Sequence, residues 1–219
     1  MTVPVASEQP SAEVERTRRL YRRMAPLYDG FRFLWSRWTR PAEDALDALF
    51  RERIGPETRI LELAPGTGIN VERLLRCAPS FASYLGIDSS EEMLARAREK
   101  ARGDARIELR IGDATDLRGI EGRFDFLVCT WLLSHLDAPA DTVRDSLSKL
   151  SPGGTAAFVF FTQPTGAFLR RVLGRLGSPL RYRFVDTEGI RTLPNLERIE
   201  SCAAGMATLA VFRAPGAPS

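Results

Sequence analysis

The chain has 219 residues, of which 44% are apolar and 27% charged, a balance typical of a globular domain. Its three cysteines, Cys77, Cys129 and Cys202, form no Cys-x-x-Cys pair. This argues against a disulfide framework or a cysteine-built zinc site and favours a reducing cytoplasm. A single histidine, His135, argues against histidine-based metal chemistry, so no metal is expected.

The net charge of +3 conceals two basic segments. Residues 16–40 carry eight arginines against one acid, and residues 170–183 carry five arginines and no acid, which leaves the remainder negative. Peripheral contact with an anionic membrane surface is one expectation, although solvated arginine faces are the commoner explanation. Residues 1–15 lack the apolar core of a signal peptide, and the longest strongly apolar run, residues 156–161, is too short for a membrane span. A cytoplasmic protein is predicted.

The N-terminal quarter of the chain is predicted to be helical after a short tail. Residues 1–13 are small and polar and are expected to be disordered. In residues 14–55, apolar side chains recur at nearly helical spacing, with a break at Pro26. We expect a helical cap that either completes the core rigidly or closes as a lid over a ligand crevice. Tyr21 and Tyr28 are its candidates for lining that crevice.

The segment after this cap has the pattern of a strand, a glycine turn and a helix. Residues 60–64 are a short apolar run, followed by the chain-breaking residues Pro65, Gly66 and Gly68. Such a turn is typical of a nucleotide-binding crevice, because glycines allow close ligand approach and the free N–H groups of a helix start point at the ligand. A dinucleotide fingerprint is disfavoured, since the position that would need a third glycine is Val71.

Strands and helices continue to alternate along the rest of the chain, which predicts a doubly wound α/β sheet. The further predicted strands are residues 84–88, 107–111, 124–130, 155–161, 196–202 and 208–212. A capping box of Ser89 and Glu92 is expected to start one helix, and another is expected over residues 139–150. Residues 56–213 form the predicted core, with a substrate-side insertion at 162–191 and a tail at 214–219.

Two aspartates follow predicted strands. Asp88 lies 20 residues beyond Gly68. A carboxylate in that register can accept hydrogen bonds from both hydroxyls of a ribose, and its alternative role is a helix cap. Asp113, which follows Gly112, is a candidate acceptor for an adenine amino group or a turn aspartate, and the residues alone leave both open.

Five segments resemble, in order and spacing, those of class I S-adenosylmethionine-dependent methyltransferases. They are Glu62-x-Ala64-x-Gly66-x-Gly68, Gly86-Ile87-Asp88-x-Ser90-x-x-Met93-Leu94, Gly112-Asp113-Ala114, Phe124-Asp125-x-Leu127-Val128 and Leu150-Ser151-Pro152-Gly153-Gly154. In that family the first small residue is usually glycine, so Ala64 leaves slightly less room beside a ligand. The resemblance implies a Rossmann-like seven-stranded sheet with the last strand antiparallel. It also implies S-adenosylmethionine as the cofactor and S-adenosylhomocysteine as its product.

Shorter patterns resemble subgroups of this class. Tyr21-x-x-x-Ala25-Pro26-x-Tyr28-Asp29 is similar to the opening of the ubiquinone/menaquinone and phospholipid N-methyltransferase-like group. Gly66-Thr67-Gly68-x-Asn70 and Gly205-Met206-Ala207-Thr208-Leu209 are similar to its phosphatidylethanolamine N-methyltransferase side. The implied acceptor is a small molecule: a lipid head-group amine, a quinone precursor or a specialised metabolite.

The resemblance also implies roles for individual residues. Glu62 and the backbone of residues 64–68 would hold the methionine part, and Asp88 the ribose. Met93 would pack on the adenine, and Asp113 with Ala114 would recognise its edge. The full set of candidate cofactor-binding residues is Tyr21, Tyr28, Glu62, Ala64, Pro65, Gly66, Thr67, Gly68, Asn70, Asp88, Ser89, Met93, Gly112, Asp113, Ala114, Thr130, Trp131 and Leu132.

Methyl transfer from a sulfonium needs little beyond in-line positioning, although a phenol or carbon acceptor benefits from a base. His135 and Tyr28 are the candidate catalytic residues, and His135 has a helix-capping or packing role as its alternative. A catalytically silent S-adenosylmethionine-binding module and a nicotinamide-dependent oxidoreductase are the competing hypotheses. No nucleic-acid partner is expected, because no Asn/Asp-Pro-Pro-aromatic signature follows the fourth strand. The oligomeric state is left open.

Overall fold

The computed structural model describes residues 39–164, 166, 183–202 and 205–216. Its strands are β1 (Arg59–Leu63), β2 (Ser83–Asp88), β3 (Ile107–Ile111), β4 (Phe124–Thr130), β5 (Leu150–Phe161), β6 (Leu196–Cys202) and β7 (Ala207–Arg213). Its helices are α1 (residues 39–53), α2 (Ile69–Cys77), α3 (Glu91–Ala101), α4 (Pro139–Leu147) and α5 (Thr187–Arg191), with a short 3-10 helix at Leu132–His135. The predictions for the N-terminal tail, for the cap before residue 39 with Tyr21 and Tyr28, and for most of the 162–191 insertion lie outside the described residues.

The strands form one seven-stranded sheet in the order β3-β2-β1-β4-β5-β7-β6. The pairs from β3 through β5 are parallel, whereas β7 runs antiparallel to both β5 and β6. This confirms the predicted doubly wound sheet with its last strand antiparallel. The strand order reverses between β1 and β4, and in open α/β sheets such a reversal leaves a crevice outside the carboxyl ends of the strands.

Both faces of the sheet are buried, which explains why β4 is apolar along nearly its whole length. On one face Leu61 and Leu127 join the larger core cluster. On the other face α1 packs Phe50 edge-on against Phe126, with ring centroids 5.5 Å apart. Helix α1 therefore covers part of this second face of the sheet. Within the described ranges, no helix has the length and apolar character needed to cross a bilayer.

The structure corrects two predicted boundaries around β5. That strand begins at Leu150, which pairs with Phe124, so α4 ends at Leu147 instead of continuing to residue 150. The predicted turn at 152–154 lies inside the strand as an irregularity, because the register moves from Phe124↔Leu150 to Phe126↔Thr155. The glycine pair allows the strand to absorb the extra residues without ending.

A third correction concerns the start of α3. The N-cap is Ser90, not Ser89, because the Ser90 hydroxyl accepts a hydrogen bond from the Met93 N–H at 3.3 Å. The same hydroxyl donates to Glu92 at 3.0 Å. Asp88, the last residue of β2, therefore lies two residues before the N-cap of α3, whereas the predicted capping box placed it one residue before.

Two glycines of the turn between β1 and α2 provide a matched test of packing. Gly66 and Gly68 both have positive φ, at 56° and 75°. A Cβ on Gly68 would lie 2.7 Å from Ala97 Cα in α3, whereas a Cβ on Gly66 would have no atom within 4 Å. We expect Gly66→Ala to cost about 1–2 kcal/mol of unfolding free energy from backbone strain alone. Gly68→Ala should cost roughly 1–3 kcal/mol more, because it also separates α2 from α3. Equal losses in urea unfolding would show that the α2–α3 contact does not need this glycine.

Candidate cofactor-binding site

The turn that follows β1 places alternate residues in the left-handed region of backbone space. Ala64, Gly66 and Gly68 have φ values of 54°, 56° and 75°. The Ala64 N–H donates to Ile87 O at 2.8 Å, and the Gly68 N–H to Pro65 O at 2.9 Å, so the turn is closed against β2 and against itself. Alanine in this conformation costs about 1–2 kcal/mol relative to an unstrained residue. The alternation of small residues in the sequence is therefore a requirement of the backbone as well as of ligand space.

Asp88 joins the end of β2 to this turn. Its Oδ2 accepts a hydrogen bond from the Gly66 N–H at 2.9 Å, and its Oδ1 accepts from the Ser90 N–H at 2.9 Å. The residue is only 8% exposed. Burial raises the pKa of the Asp88 carboxyl, and the bonds from backbone N–H groups oppose that rise. Because a carboxylate has about four acceptor positions, these two bonds leave capacity for ribose hydroxyls. The ribose assignment stays a prediction.

Glu62 lies at the centre of a buried hydrogen-bond network beside the turn. The residue is 0% exposed, its Oε1 accepts from Asn70 Nδ2 at 2.7 Å, and its Oε2 accepts from the Tyr84 hydroxyl. Asn70 Nδ2 also donates to Thr130 Oγ1 at 3.0 Å. Burial raises the pKa of the Glu62 carboxyl to about 7, although both donors pull it down. Three predicted site residues are thus brought into direct contact on β1, α2 and β4.

Tyr84 is the member of this network that sequence analysis did not select. It lies in the apolar run of β2, where a tyrosine resembles any other core aromatic. A buried tyrosine hydroxyl nearly always finds a hydrogen-bond partner, and Glu62 is a carboxylate in the adjacent predicted strand. A tyrosine and a carboxylate in neighbouring predicted strands were therefore the sequence signal for this hydrogen bond.

Helix α1 is bound to the middle and the last turn of α2 by ion pairs. Arg73 contacts Glu43 at 2.9 Å and Asp47 at 2.6 Å, and Arg76 contacts Asp47 at 2.8 Å. Arg73 also donates to Asn70 Oδ1 at 3.4 Å. Polar contacts through Arg73 and Asn70 therefore link helix α1 to Glu62.

The residues predicted to surround the adenine follow β2 and β3. Met93 is buried, Ala114 is buried beside the larger core cluster, and Ser89 is half-buried. Gly112 donates its N–H to Asp88 O at 2.9 Å, which places the end of β3 next to the end of β2. Asp113 Oδ1 accepts from the Thr115 N–H at 2.8 Å and from the Thr115 hydroxyl at 2.7 Å. Asp113 thus stabilises its own turn, and its adenine role stays a prediction.

The carboxyl end of β4 carries a strained aromatic residue. Trp131 has φ of 69°, a conformation that bulky side chains rarely adopt and that is concentrated at functional sites. Its backbone N–H donates to Val159 O at 2.7 Å, and its ring stacks on Phe161 with centroids 4.5 Å apart. Phe161 lies at the end of β5 and was not predicted as a site residue. Phe161 is buried, whereas Trp131 and the following Leu132 are half-buried.

His135 ends the 3-10 helix that follows Trp131. Burial lowers the pKa of its imidazole to about 4, so the side chain is neutral at physiological pH. A neutral imidazole can accept a proton, but a pKa this low makes it a weak base. The catalytic assignment of His135 stays a prediction, and that of Tyr28 lies outside the described residues.

The space at Gly66 is open, two buried carboxylates border the turn, and one of them retains acceptor positions. In the part of the chain that the structure describes, no cluster of three or more His, Cys, Asp or Glu side chains could hold a metal ion.

Residues 60–154 match the profile of a family described as a methyltransferase domain. With the sheet order and the glycine turn, this match indicates a class I S-adenosylmethionine-dependent methyltransferase domain over these residues. A demethylmenaquinone methyltransferase from Clavibacter sepedonicus is 35% identical over 113 residues, which cover 52% of this chain and 45% of the relative. The ubiquinone/menaquinone biosynthesis C-methyltransferase UbiE of Geobacter sulfurreducens is 27% identical over 166 residues, covering 72% and 62%. The chain thus spans less than two thirds of either relative.

Solved structures show the same fold at low sequence identity. An O-methyltransferase family protein from Burkholderia thailandensis has a TM-score of 0.67 and 18% identity, with 87% of this chain and 60% of that chain covered. The N-methyltransferase NodS from Bradyrhizobium japonicum WM9, in complex with S-adenosylhomocysteine, has a TM-score of 0.58 and 20% identity, with 80% and 88% covered.

Asp88→Ala tests the site directly. The change removes the acceptor of the Gly66 N–H. We expect affinity for S-adenosylhomocysteine to fall roughly 10- to 150-fold, the range for losing a hydrogen bond to a charged group. Asp116→Ala is the matched control, because Asp116 is exposed and bonds only locally to Arg118 at 2.8 Å. Equal affinities of the two variants in calorimetry would remove Asp88 from the site.

Proposed function

We propose that this protein transfers a methyl group from S-adenosylmethionine to a small, planar acceptor of the quinol type. The observation that carries the proposal is the turn at residues 64–68, with its open space at Gly66 and its N–H bound to Asp88. It follows the carboxyl end of β1, where the strand order reverses between β1 and β4, and open α/β sheets bind nucleotides at such a position.

The chain's own residues supply binding and orientation in this proposal. Asp88 accepts hydrogen bonds from the ribose, and the turn backbone with Glu62 holds the methionine end. The bound cofactor supplies an already activated methyl group, so alignment of the acceptor can provide much of the rate acceleration. His135, neutral at physiological pH, accepts a hydrogen bond from an acceptor hydroxyl near the end of β4.

Two observations favour a quinol-type acceptor over an amine. The Clavibacter sepedonicus and Geobacter sulfurreducens relatives are named as a demethylmenaquinone methyltransferase and a ubiquinone/menaquinone biosynthesis C-methyltransferase. The half-buried Trp131, whose ring stacks on the buried Phe161, places an aromatic side chain at the end of β4. Aromatic faces favour planar ligands through offset stacking.

The proposed partners are limited to this small-molecule acceptor, with no nucleic acid. Contact with an anionic membrane surface remains a further proposal. It rests on the basic segments 16–40 and 170–183, which lie mostly outside the described residues.

A direct assay offers the protein methyl-deuterated S-adenosylmethionine together with a chemically reduced, short-chain demethylmenaquinol. Phosphatidylethanolamine vesicles and a catechol serve as competing acceptors. We expect a labelled methyl group on the quinol ring by mass spectrometry, and its loss in Asp88→Ala but not in Asp116→Ala. Labelling of the amine or the catechol alone would replace the proposed acceptor. S-adenosylhomocysteine binding without labelling of any acceptor would favour the silent binding module.

A further inference from the structure

Tyr84 lies where the strand that carries Asp88 meets the strand that carries Glu62. The residue is 2% exposed, and its hydroxyl donates to Glu62 Oε2. A Cβ built on Gly86 would lie 3.0 Å from the Tyr84 ring and 3.1 Å from Pro65 Cγ, so the ring and the turn border the same glycine. Tyr84 therefore contacts the buried acid and packs close to the turn.

The hydrogen bond from Tyr84 completes a chain of side chains across four elements. From β2 it runs through Glu62 on β1 and Asn70 on α2 to Thr130 on β4. Each oxygen of Glu62 thus has one donor, and both donors are side chains. Removal of either donor would leave a carboxylate oxygen in the core without that bond, and such unpaired buried groups are costly.

The charges around Glu62 make its ionisation depend on these donors. Asp88 on β2 opposes the ionised form, and Arg73 on α2 favours it. Arg73 is itself paired with Glu43 and Asp47 of α1. On β4 the neighbouring titratable group is the buried Cys129 thiol, whose pKa burial raises well above neutrality, so it stays uncharged. The formal charges of these neighbours sum to a negative value, which leaves the neutral donors Tyr84 and Asn70 as the decisive stabilisers.

We propose that Tyr84 is a positioning residue of the cofactor site: its hydroxyl holds the Glu62 carboxylate oriented beside the turn, where the acid attracts the ammonium group of the ligand. The proposal rests on the proposed function, since it assumes that the turn binds S-adenosylmethionine and its product. Both carry an ammonium group, which a nearby negative charge attracts.

The direction of the pH effect follows from the network. The pKa of Glu62 is about 7, so its charge develops as pH rises through neutrality. Affinity for S-adenosylhomocysteine should therefore increase with pH and level off above a midpoint near this value. The Tyr84 hydrogen bond lowers the pKa of Glu62. Tyr84→Phe removes that bond and should move the midpoint upward, by about one pH unit or more for a hydrogen bond to a charged group.

The experiment measures S-adenosylhomocysteine affinity by calorimetry from pH 5.5 to 8.5 in the wild type, Tyr84→Phe and Glu62→Gln. Ser146→Ala is the control for deleting a buried hydroxyl, because the Ser146 hydroxyl donates to Thr142 O within α4. We expect a higher midpoint in Tyr84→Phe, no Glu62-dependent midpoint in Glu62→Gln, and the wild-type curve in Ser146→Ala.

A second preparation keeps the hydroxyl and so tests the proposal even where Tyr84→Phe does not fold. Replacing tyrosine by 3-fluorotyrosine throughout makes the phenol a stronger donor and should move the midpoint downward. An unchanged midpoint in this preparation, or in a folded Tyr84→Phe, overturns the proposal. A wild-type affinity that does not vary with pH overturns it as well and leaves the proposed function intact. A wild type that binds no S-adenosylhomocysteine at any pH overturns both.

Discussion

The hydrogen bond from the Gly66 N–H to the Asp88 carboxylate is the interaction on which the site depends. It joins the turn after β1 to the end of β2, across a register in which Leu63 pairs with Ile87. Ala64, Gly66 and Gly68 of this turn all have positive φ. A larger side chain at Gly66 would occupy the open space, and one at Gly68 would collide with α3. Within one turn, Gly66 thus leaves space for a ligand, and Gly68 allows the close packing of α3.

Two buried carboxylates so close together are costly, and much of the surrounding structure compensates for them. Asp88 is stabilised mainly by backbone N–H groups, whereas Glu62 relies on the side chains of Asn70 and Tyr84. Arg73 adds a positive charge, but Glu43 and Asp47 share it. Desolvation remains the larger effect at both acids, which is why both pKa values are raised. A positively charged group of a ligand would stabilise the ionised forms of both acids and so offset part of their desolvation cost.

Much of the fold could be predicted from the sequence because its elements have clear periodicity. The bounds of β3, β4 and β6 agree with the predicted ranges 107–111, 124–130 and 196–202, and Asp88 lies where the glycine register placed it. Local patterns failed where tertiary pairing decided the outcome. Leu150 belongs to β5 because it pairs with Phe124, although the prolines and glycines after it suggest a turn.

Other features of the site have no local sequence signal. The identity of residue 131 as tryptophan does not predict its φ of 69°. In this conformation its ring stacks on Phe161 and its backbone N–H donates to Val159 O. Tyr84 resembles a core aromatic until the carboxylate opposite it is known to be buried. The acceptor was left open for a different reason: the residues expected to shape its pocket match no recognised pattern.

The most direct test of the central claim is calorimetric titration of the wild-type protein with S-adenosylhomocysteine and, in parallel, with NAD. A turn built as described here, with Val71 in place of a third glycine and Asp88 bound to Gly66, should bind one S-adenosylhomocysteine per chain and no NAD. Binding of NAD with no response to S-adenosylhomocysteine would contradict the account.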